Sequence, residues 1–492
     1  MRVRWEQRGE LWIATGLAAL AVFACLPVLL SGFRLGYWDW DIFQASFEVA
    51  RKSVVEYGQL PGWNPYARGG VNLLSHPLLP LASPSFLVIL VAGTIPGIKI
   101  WIVVRQFVAL FGAYLLGRRL AFGRLGALTV AIVFGLSSCY AQRVAHGHWN
   151  LQAFVFLPLV IQSGLGAIQP GAWRARGFAA LWLALAFLDG GPYSLAIAGL
   201  GLAAVGIVAV ARGRSRLGLP VLAGVALLGF ALAAAKGVPV WDAYKGGERE
   251  FGYGSHFALD FYSPDFVPSS GESLYTAMLD RQQASRPGRF ETFHVNVGAY
   301  VGPIGLALAV LGLAIGGASA RVSWLLGVPI LWLCLGASAP LNLWELVHRL
   351  PIASSMSVPS KFTACYLLAL AVAAGAAVDA LANRAAPGIA RVALAALVVG
   401  LGTDLLLVSR PLMAQAFPIE PPTVQEAPFH QVVISPYWPW YQEHLLGDLA
   451  TRPIPPPGTR ALQRTGLAVY TASANFPAVR ANVGVLRTTD GG

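Results

Sequence analysis

Apolar residues run through this chain in long unbroken stretches, without the one-face or alternating spacing of a water-facing helix or strand. Leu11–Leu30 is the first run. Ile100–Gly117, Leu125–Tyr140, Leu151–Ile168, Phe178–Leu188, Tyr193–Ala211, Leu217–Ala235, Val297–Ile315, Val322–Leu335, Phe362–Leu381 and Val392–Val408 follow. A helix crosses the hydrocarbon core with about 20 apolar residues, and in lipid a backbone must satisfy its own polar groups. The pattern therefore predicts an all-α polytopic membrane protein with about eleven transmembrane helices. Leu81–Ile95 is also apolar, but it is short and flanked or interrupted by Pro80, Pro84 and Pro96, which predicts a juxtamembrane or re-entrant helix.

Composition agrees: 56% of residues are apolar and 12% charged, against roughly 25% charged in a soluble domain, so a water-soluble fold is excluded. The net charge of +12 does not call for nucleic acid, because the arginines sit in alternate gaps between the runs. They are Arg118, Arg119 and Arg124; Arg174 and Arg176; Arg212, Arg214 and Arg216; Arg321; and Arg384 and Arg391. Basic gaps mark the cytoplasmic side. The segments Gly32–Pro96, Arg143–Asn150, Asp189–Pro192, Pro239–Asn296 and Ser338–Lys361 are then external, with a cytoplasmic N-terminus and an extracytoplasmic C-terminus. The basic start followed by a long run predicts an uncleaved first helix. Four cysteines inside or beside apolar runs predict neither a disulfide nor a thiolate metal site. The chain divides into a transmembrane domain, 1–408, with external loops 32–96, 239–296 and 338–361, and a small extracytoplasmic tail, 409–492. The tail is Pro-rich, with β-branched runs such as Gln431–Ile434 and Gly466–Tyr470.

Candidate chemistry gathers in the first external loop. Tyr37-Trp38-Asp39-Trp40-Asp41 leads into an interfacial helix, Ile42–Tyr57, with Asp41 as its cap. Gly58-Gln59-Leu60-Pro61-Gly62-Trp63-Asn64-Pro65-Tyr66 and Gly69-Gly70 follow. Further on stand His146-Gly147-His148, Gly190-Gly191-Pro192, Tyr300-Val301-Gly302, and Leu350-Pro351 with Ser357-Val358-Pro359-Ser360-Lys361-Phe362. Taken in order, these phrases resemble the GT-C class of integral membrane glycosyltransferases, and within it the YfhO-like bacterial membrane proteins. Lys361 stands where that family commonly has Arg, and the family's larger soluble appendages are reduced here to the tail. The resemblance implies a transferase in the bacterial inner (plasma) membrane. It would move a sugar from a polyprenyl-phosphate-linked donor to an acceptor glycan, lipid or protein at the outer face, among membrane lipids and with no nucleic-acid partner.

A lipid-linked donor carries its scissile bond at headgroup depth, so a base must stand just beyond a span and cations must meet the departing phosphate. The resemblance assigns the base to Asp41, one helical turn before Gln44, with Asp39 as deputy. The two acids together would also suit a divalent metal such as Mg or Mn. A helix cap and a solvated interfacial acid are the alternatives from the residues alone. Arg105, Lys361 and Arg143 are candidates for the donor phosphate. Structural pairing is the alternative for Arg105, placed about five residues into its span, and snorkelling for Lys361. His146, His148, Gln44, Trp63 and Asn64 are candidate substrate contacts, with an ordinary interfacial loop and aromatic anchoring as alternatives. Asp189 and Asp404 lie at apolar depth, where ionisable groups are paired or functional. Tyr244–Asn296 is an acceptor-groove cover or a structural lid. The competing readings are a secondary transporter or lipid flippase, and a non-catalytic assembly partner. No internal repeat is visible, and polar richness falls on one face, which favours the transferase.

Overall fold

The computed structural model describes residues 2–36, 39–64, 71–213, 215–245, 299–336, 341–349, 356, 359–386, 388–419, 425–426 and 431–432. Helix α1 (Arg2–Leu30) is followed by α2 (Asp39–Val55) and a two-residue antiparallel pair, β1 (Trp63–Asn64) with β2 (Val71–Asn72). Then come α3 (Pro84–Ala92), α4 (Thr94–Arg119), α5 (Arg124–Leu136), α6 (Ser138–Ala145) and α7 (Trp149–Gln152). A 3-10 turn, Ala153–Phe156, continues α7 into α8 (Leu157–Ala167). After these lie α9 (Trp173–Ala211), α10 (Ser215–Leu232), α11 (Ala234–Lys245), α12 (Pro303–Ile315), α13 (Gly317–Leu335), α14 (Leu343–His348), α15 (Thr363–Arg384) and α16 (Ile389–Ala414). Gln425–Glu426 pairs antiparallel with Gln431–Val432. The expectations for 246–298, Gly69-Gly70, Leu350-Pro351 and the tail beyond Val432 lie outside the described residues.

The chain is an all-helical polytopic membrane protein. Eight helical stretches among the described residues are long and apolar enough to cross a bilayer, or nine if Gly218–Leu232 and Ala234–Ala243, bent by 81°, form one span. Each apolar run has most of its length on helix. Phe178–Leu188 and Tyr193–Ala211 are two arms joined across the Gly191 break and run antiparallel, Ala175 lying against Gly166 while Leu202 and Val205 lie against Gly164, and α12 has 13 residues. Helix α3 rises about 14 Å, half the thickness of the hydrocarbon core, so Leu81–Ile95 does not cross as one helix. Ser83 accepts from the Ser85 N–H and Pro84 opens the first turn. Helix α3 then folds back on α4 so closely that a Cβ on Gly97 would stand 2.7 Å from the Ile89 Cα.

The two ends of the bundle differ in charge. At one end Glu10 accepts from Tyr114 and pairs with Arg118 and Arg124 at 3.5 and 3.6 Å. Asp379 accepts from the Gly123 N–H at the head of α5, and Arg119 and Arg176 donate to the carbonyls of Leu165 and Ala167. These arginines, from separate gaps, thus share one end. The other end holds the C-terminus of α1, helix α2, the loop His146–His148 and the start of α15. There Lys99 closes the end of α1, donating to Ser31 Oγ at 2.6 Å and to the Gly32 carbonyl.

Helix α9 breaks at Gly191, whose φ of 71° and ψ of −158° no helical residue adopts. Pro192 has no N–H to continue the ladder. The carbonyls of Phe187 and Leu188, which would have bonded across the break, receive instead the Lys236 ammonium of α11 at 3.2 and 3.1 Å. Gly is required at 191 on a second count: a Cβ there would stand 2.3 Å from the Pro77 carbonyl oxygen.

Candidate functional site

Helix α2 starts at Asp39, so Asp41 is not its cap; it lies in the first turn. The Asp41 side chain lies outside the described part. Exposed N–H groups and the helix dipole at this end favour carboxylates.

The loop between α6 and α7 presses against this turn. Gly147, at φ 75°, brings its backbone so close that a Cβ would stand 2.2 Å from the Trp40 amide nitrogen. Trp40 is fully buried, donates from Nε1 to the Val144 carbonyl at 2.8 Å, and meets Trp149 edge-on at 6.2 Å. The consequence is an approach of His148 Nε2 to 3.6 Å from Asp39 Oδ2. His146 stacks beside His148 at 6.0 Å. Its Nδ1 lies 2.7 Å from the Gln142 carbonyl, a contact that needs the proton on Nδ1.

Burial sets the protonation states. It holds His146 down at about 4. It also holds His148 well below the usual imidazole value, with His146, Lys361 and Arg143 adding positive charge nearby. Burial pushes Asp39 up to about 6, against the pull of Lys361. At neutral pH the imidazoles are neutral and Asp39 is largely ionised, with a proton affinity suited to general-base work. Its side chain keeps 47% of its surface exposed, so the carboxylate is open to an incoming group.

Lys361 lies in the 3-10 turn Pro359–Phe362 that opens α15, its ammonium 4.1 Å from the centre of the Tyr193 ring, just past the α9 break. Arg143 is buried on α6, donates to the carbonyls of Cys139 and Lys361 at 3.1 and 3.3 Å, and lies 5.1 Å over Phe154.

Arg105 departs from its expected place. Helix α4 begins at Thr94, so Arg105 sits about 16 Å down its axis. Its Nε and Nη2 reach Asp189 Oδ2 at 2.8 and 2.7 Å, and Nη1 reaches the Trp149 carbonyl and Gln152 Oε1 at 2.9 and 3.0 Å. Asp189 also accepts from Ser83 Oγ and Trp101 Nε1. The guanidinium lies 4.2 Å over the Trp149 ring. Arg105 is thus committed to Asp189 and to the α7 segment. It braces Trp149 and Gln152, and Gln152 in turn donates to the Arg143 carbonyl. Asp404 accepts from the Tyr300 hydroxyl at 3.0 Å.

Gln44 is fully buried on the α2 stripe that carries Trp40 and Phe47, and neither amide atom finds a hydrogen-bond partner among the described residues. Trp63 is 56% exposed, and Asn64 is buried in the strand pair. Sequence reasoning missed Trp149 and Ser360. Trp149 Nε1 and Ser360 Oγ, like Gln44, Arg143 Nε and His148 Nδ1, are buried polar atoms without a hydrogen-bond partner among the described residues. Each such group costs about 1–3 kcal/mol, and among them His148 stands 3.6 Å from Asp39. Their only signal in the sequence is adjacency, Trp149 to His148 and Ser360 to Lys361. Among the described residues no group of three or more His, Cys, Asp or Glu side chains could hold a metal ion. The arrangement can accept a proton at Asp39, hold negative charge near Lys361, and donate hydrogen bonds to a polar ligand.

The fold is thus that of a polytopic helical membrane protein with a buried polar site at one end of its bundle. No family model and no curated protein matches the chain. Among solved structures it is similar to ArnT from Cupriavidus metallidurans bound to undecaprenyl phosphate, at 13% identity over 83% of this chain and 74% of that one, TM-score 0.41. ArnT in the apo state gives 13%, 82%, 75% and 0.40.

Proposed function

We propose that the protein is a membrane glycosyltransferase that takes a sugar from a polyprenyl-phosphate carrier at the extracytoplasmic face, with the N-terminus cytoplasmic and the C-terminus outside. One observation carries the reading: a carboxylate with raised proton affinity, Asp39, stands beside a neutral imidazole and the Lys361 ammonium where buried polar atoms lack partners. The order of the first-loop phrase supports the same class.

In the proposed reaction an acceptor hydroxyl oxygen attacks the anomeric carbon. Its proton passes to Asp39, and the bond from that carbon to the phosphate oxygen breaks. The electron pair leaves on polyprenyl phosphate, whose growing charge Lys361 meets and Arg143 supports. Asp41, in the same turn, is the acid that the motif matches and is the other candidate for the base. Gln44, His146, Trp149 and Ser360 would take the sugar hydroxyls. A divalent ion at Asp39 and Asp41 would screen the same phosphate.

Two broken helices, α9 and the α10–α11 pair, are the feature a transporter would offer. The ionisable side chains there are spent on protein groups, with Arg105 on Asp189 and Lys236 on two carbonyls, which favours the transferase. The test is reconstitution with a panel of polyprenyl-phosphate sugars, following release of polyprenyl phosphate. Release by the wild type that Asp39→Asn abolishes supports the reading. Movement of intact donor across the bilayer without release overturns it.

A further inference from the structure

The last transmembrane helix does not hand the chain directly to its tail. Helix α16 ends at Ala414, and Pro418 disfavours helical backbone at Phe417 before it. Ile419 then bridges back to Leu35, the two residues exchanging N–H to carbonyl bonds of 2.8 and 3.1 Å. This return inserts Phe417, one of the largest fully buried side chains, against the ring of Trp40 at 5.1 Å. The Lys99 ammonium covers the same ring at 4.6 Å. Trp40 stands between Asp39 and Asp41, the two acids in the first turn of α2. It has no other freedom: a Cβ on Gly36 would stand 2.4 Å from its ring, Gly147 abuts its amide, and Trp149 meets its ring.

We infer that Phe417 is a positioning residue: the strap Gln415–Ile419, tied to Leu35 and Lys99, holds Trp40 and so fixes Asp39 against His148. The inference rests on the transferase reading for its activity readout. Sequence gave no hint of it, since Phe417 lies in neither a span nor a motif. The mechanism is geometric. Phe417 packs against the Trp40 ring at 5.1 Å, and Trp149 meets the same ring edge-on at 6.2 Å. Removing the ring leaves Trp40 space to tilt, and a shift of about 1 Å in a catalytic group costs on the order of 10²-fold in rate.

The charged and titratable groups near Asp39 are Asp41 on its own helix, His146 and His148 on the facing loop, Arg143 on α6 and Lys361 before α15. Loosening the strap lets the turn carrying Asp39 move off the facing loop, so the half-exposed carboxylate meets more water and its proton affinity falls toward that of an ordinary carboxylate. The acid limb of kcat/KM should then move to lower pH.

The experiment compares wild type, Phe417→Ala, Phe417→Leu and Phe417→Trp in the polyprenyl-phosphate sugar assay, with thermal stability measured in the same detergent. The expected result for Phe417→Ala is a fall in kcat of roughly 10- to 100-fold. Donor KM should stay within about twofold and the acid limb should shift down, while Phe417→Trp recovers most of kcat. Phe417→Leu, which keeps apolar volume without a ring, should fall between. Unchanged kcat per folded molecule and an unmoved acid limb in Phe417→Ala would overturn the inference and leave the strap purely structural. If Phe417→Ala does not fold, Phe417→Leu carries the same comparison. A wild type inactive on every donor defeats the transferase reading instead. The strap is then judged by whether His148→Cys reacts faster with a thiol reagent in the Phe417→Leu background, equal reactivity counting against it.

Discussion

Asp39 Oδ2 and His148 Nε2 face each other at 3.6 Å although 108 residues separate them in the chain, and the contact exists because Gly147 and Trp40 touch backbone to backbone. A neutral imidazole facing a carboxylate of raised proton affinity is a proton-handling pair whose behaviour follows from its surroundings.

Replacing the proton acceptor should separate chemistry from stability. Asp39→Asn is expected to lower sugar transfer by roughly 10²- to 10⁴-fold, while loss of charge in the first helical turn costs about 0.3–1 kcal/mol. Activity and melting temperature of Asp39→Asn and Asp41→Asn, measured side by side, assign the base. Full activity in Asp39→Asn with loss in Asp41→Asn moves the role to Asp41.

Lys361 lowers the proton affinity of Asp39 against the rise from burial. Lys361→Gln should therefore raise that affinity, and the acid limb of kcat/KM should move to higher pH, the opposite of the shift expected for Phe417→Ala. Donor KM should rise as well, and Lys361→Arg should restore much of it. A limb that stays in place separates Lys361 from Asp39.

Breaking the brace beneath the site should cost stability first. Arg105→Met leaves Asp189 buried and unpaired, a loss of roughly 3–5 kcal/mol, whereas an apolar replacement of both partners is far less harmful. Thermal unfolding of Arg105→Met, Asp189→Leu and the double variant tests this, and a double variant worse than either single one contradicts it.

Gly147→Ala forces a side chain into a left-handed backbone and against Trp40. Strain of that kind costs about 1–3 kcal/mol, and relief requires the loop to retreat from α2. Transfer activity should fall with the melting temperature, and a variant of normal activity would show that the Asp39–His148 approach is dispensable.

Acid should destabilise the fold. His146 binds its proton near 4 when folded, against 6.5 in the open chain, and His148 is likewise lowered, so their contribution is complete above 6.5 and is lost as pH falls toward 4. Asp39 works in the other direction: raised from 3.8 to about 6, it favours the folded state below 3.8 and loses that contribution as pH rises through 6. Two imidazoles outweigh one carboxyl, so the melting temperature should drop between pH 6.5 and 4.5, and more steeply in Asp39→Asn. A flat profile would indicate that water reaches both histidines.

Much of the fold is written locally. The apolar runs locate the helices, Pro84 and Pro96 announce the short α3, and the arginine gaps identify residues that meet at one end. Gly191-Pro192 marks a break in any reading. What the break does to its neighbours is not local: Lys236 looks like one more charge near an apolar run until its two carbonyls are found. Arg105 and Asp189 show the same limit, because expense at apolar depth is legible and the choice between ligand and partner is not. In the site, Asp39, His146, His148, Arg143 and Lys361 are legible as motif residues that the fold assembles. Trp149, Ser360 and Phe417 are not, since their meaning comes from contacts between distant segments.

The lysine bridge at the α9 break has a consequence for the order in which the chain is built. The carbonyls of Phe187 and Leu188 enter the membrane 49 and 48 residues ahead of Lys236. A buried carbonyl left without a partner costs about 1–3 kcal/mol. Until α11 emerges, the two arms of α9 hold a polar wound that only a later segment can dress. The stretch from Trp173 to Lys245 is therefore a unit of biogenesis: a ribosome stalled, or a chain cut, between Ala211 and Lys236 leaves an intermediate for quality control to recognise.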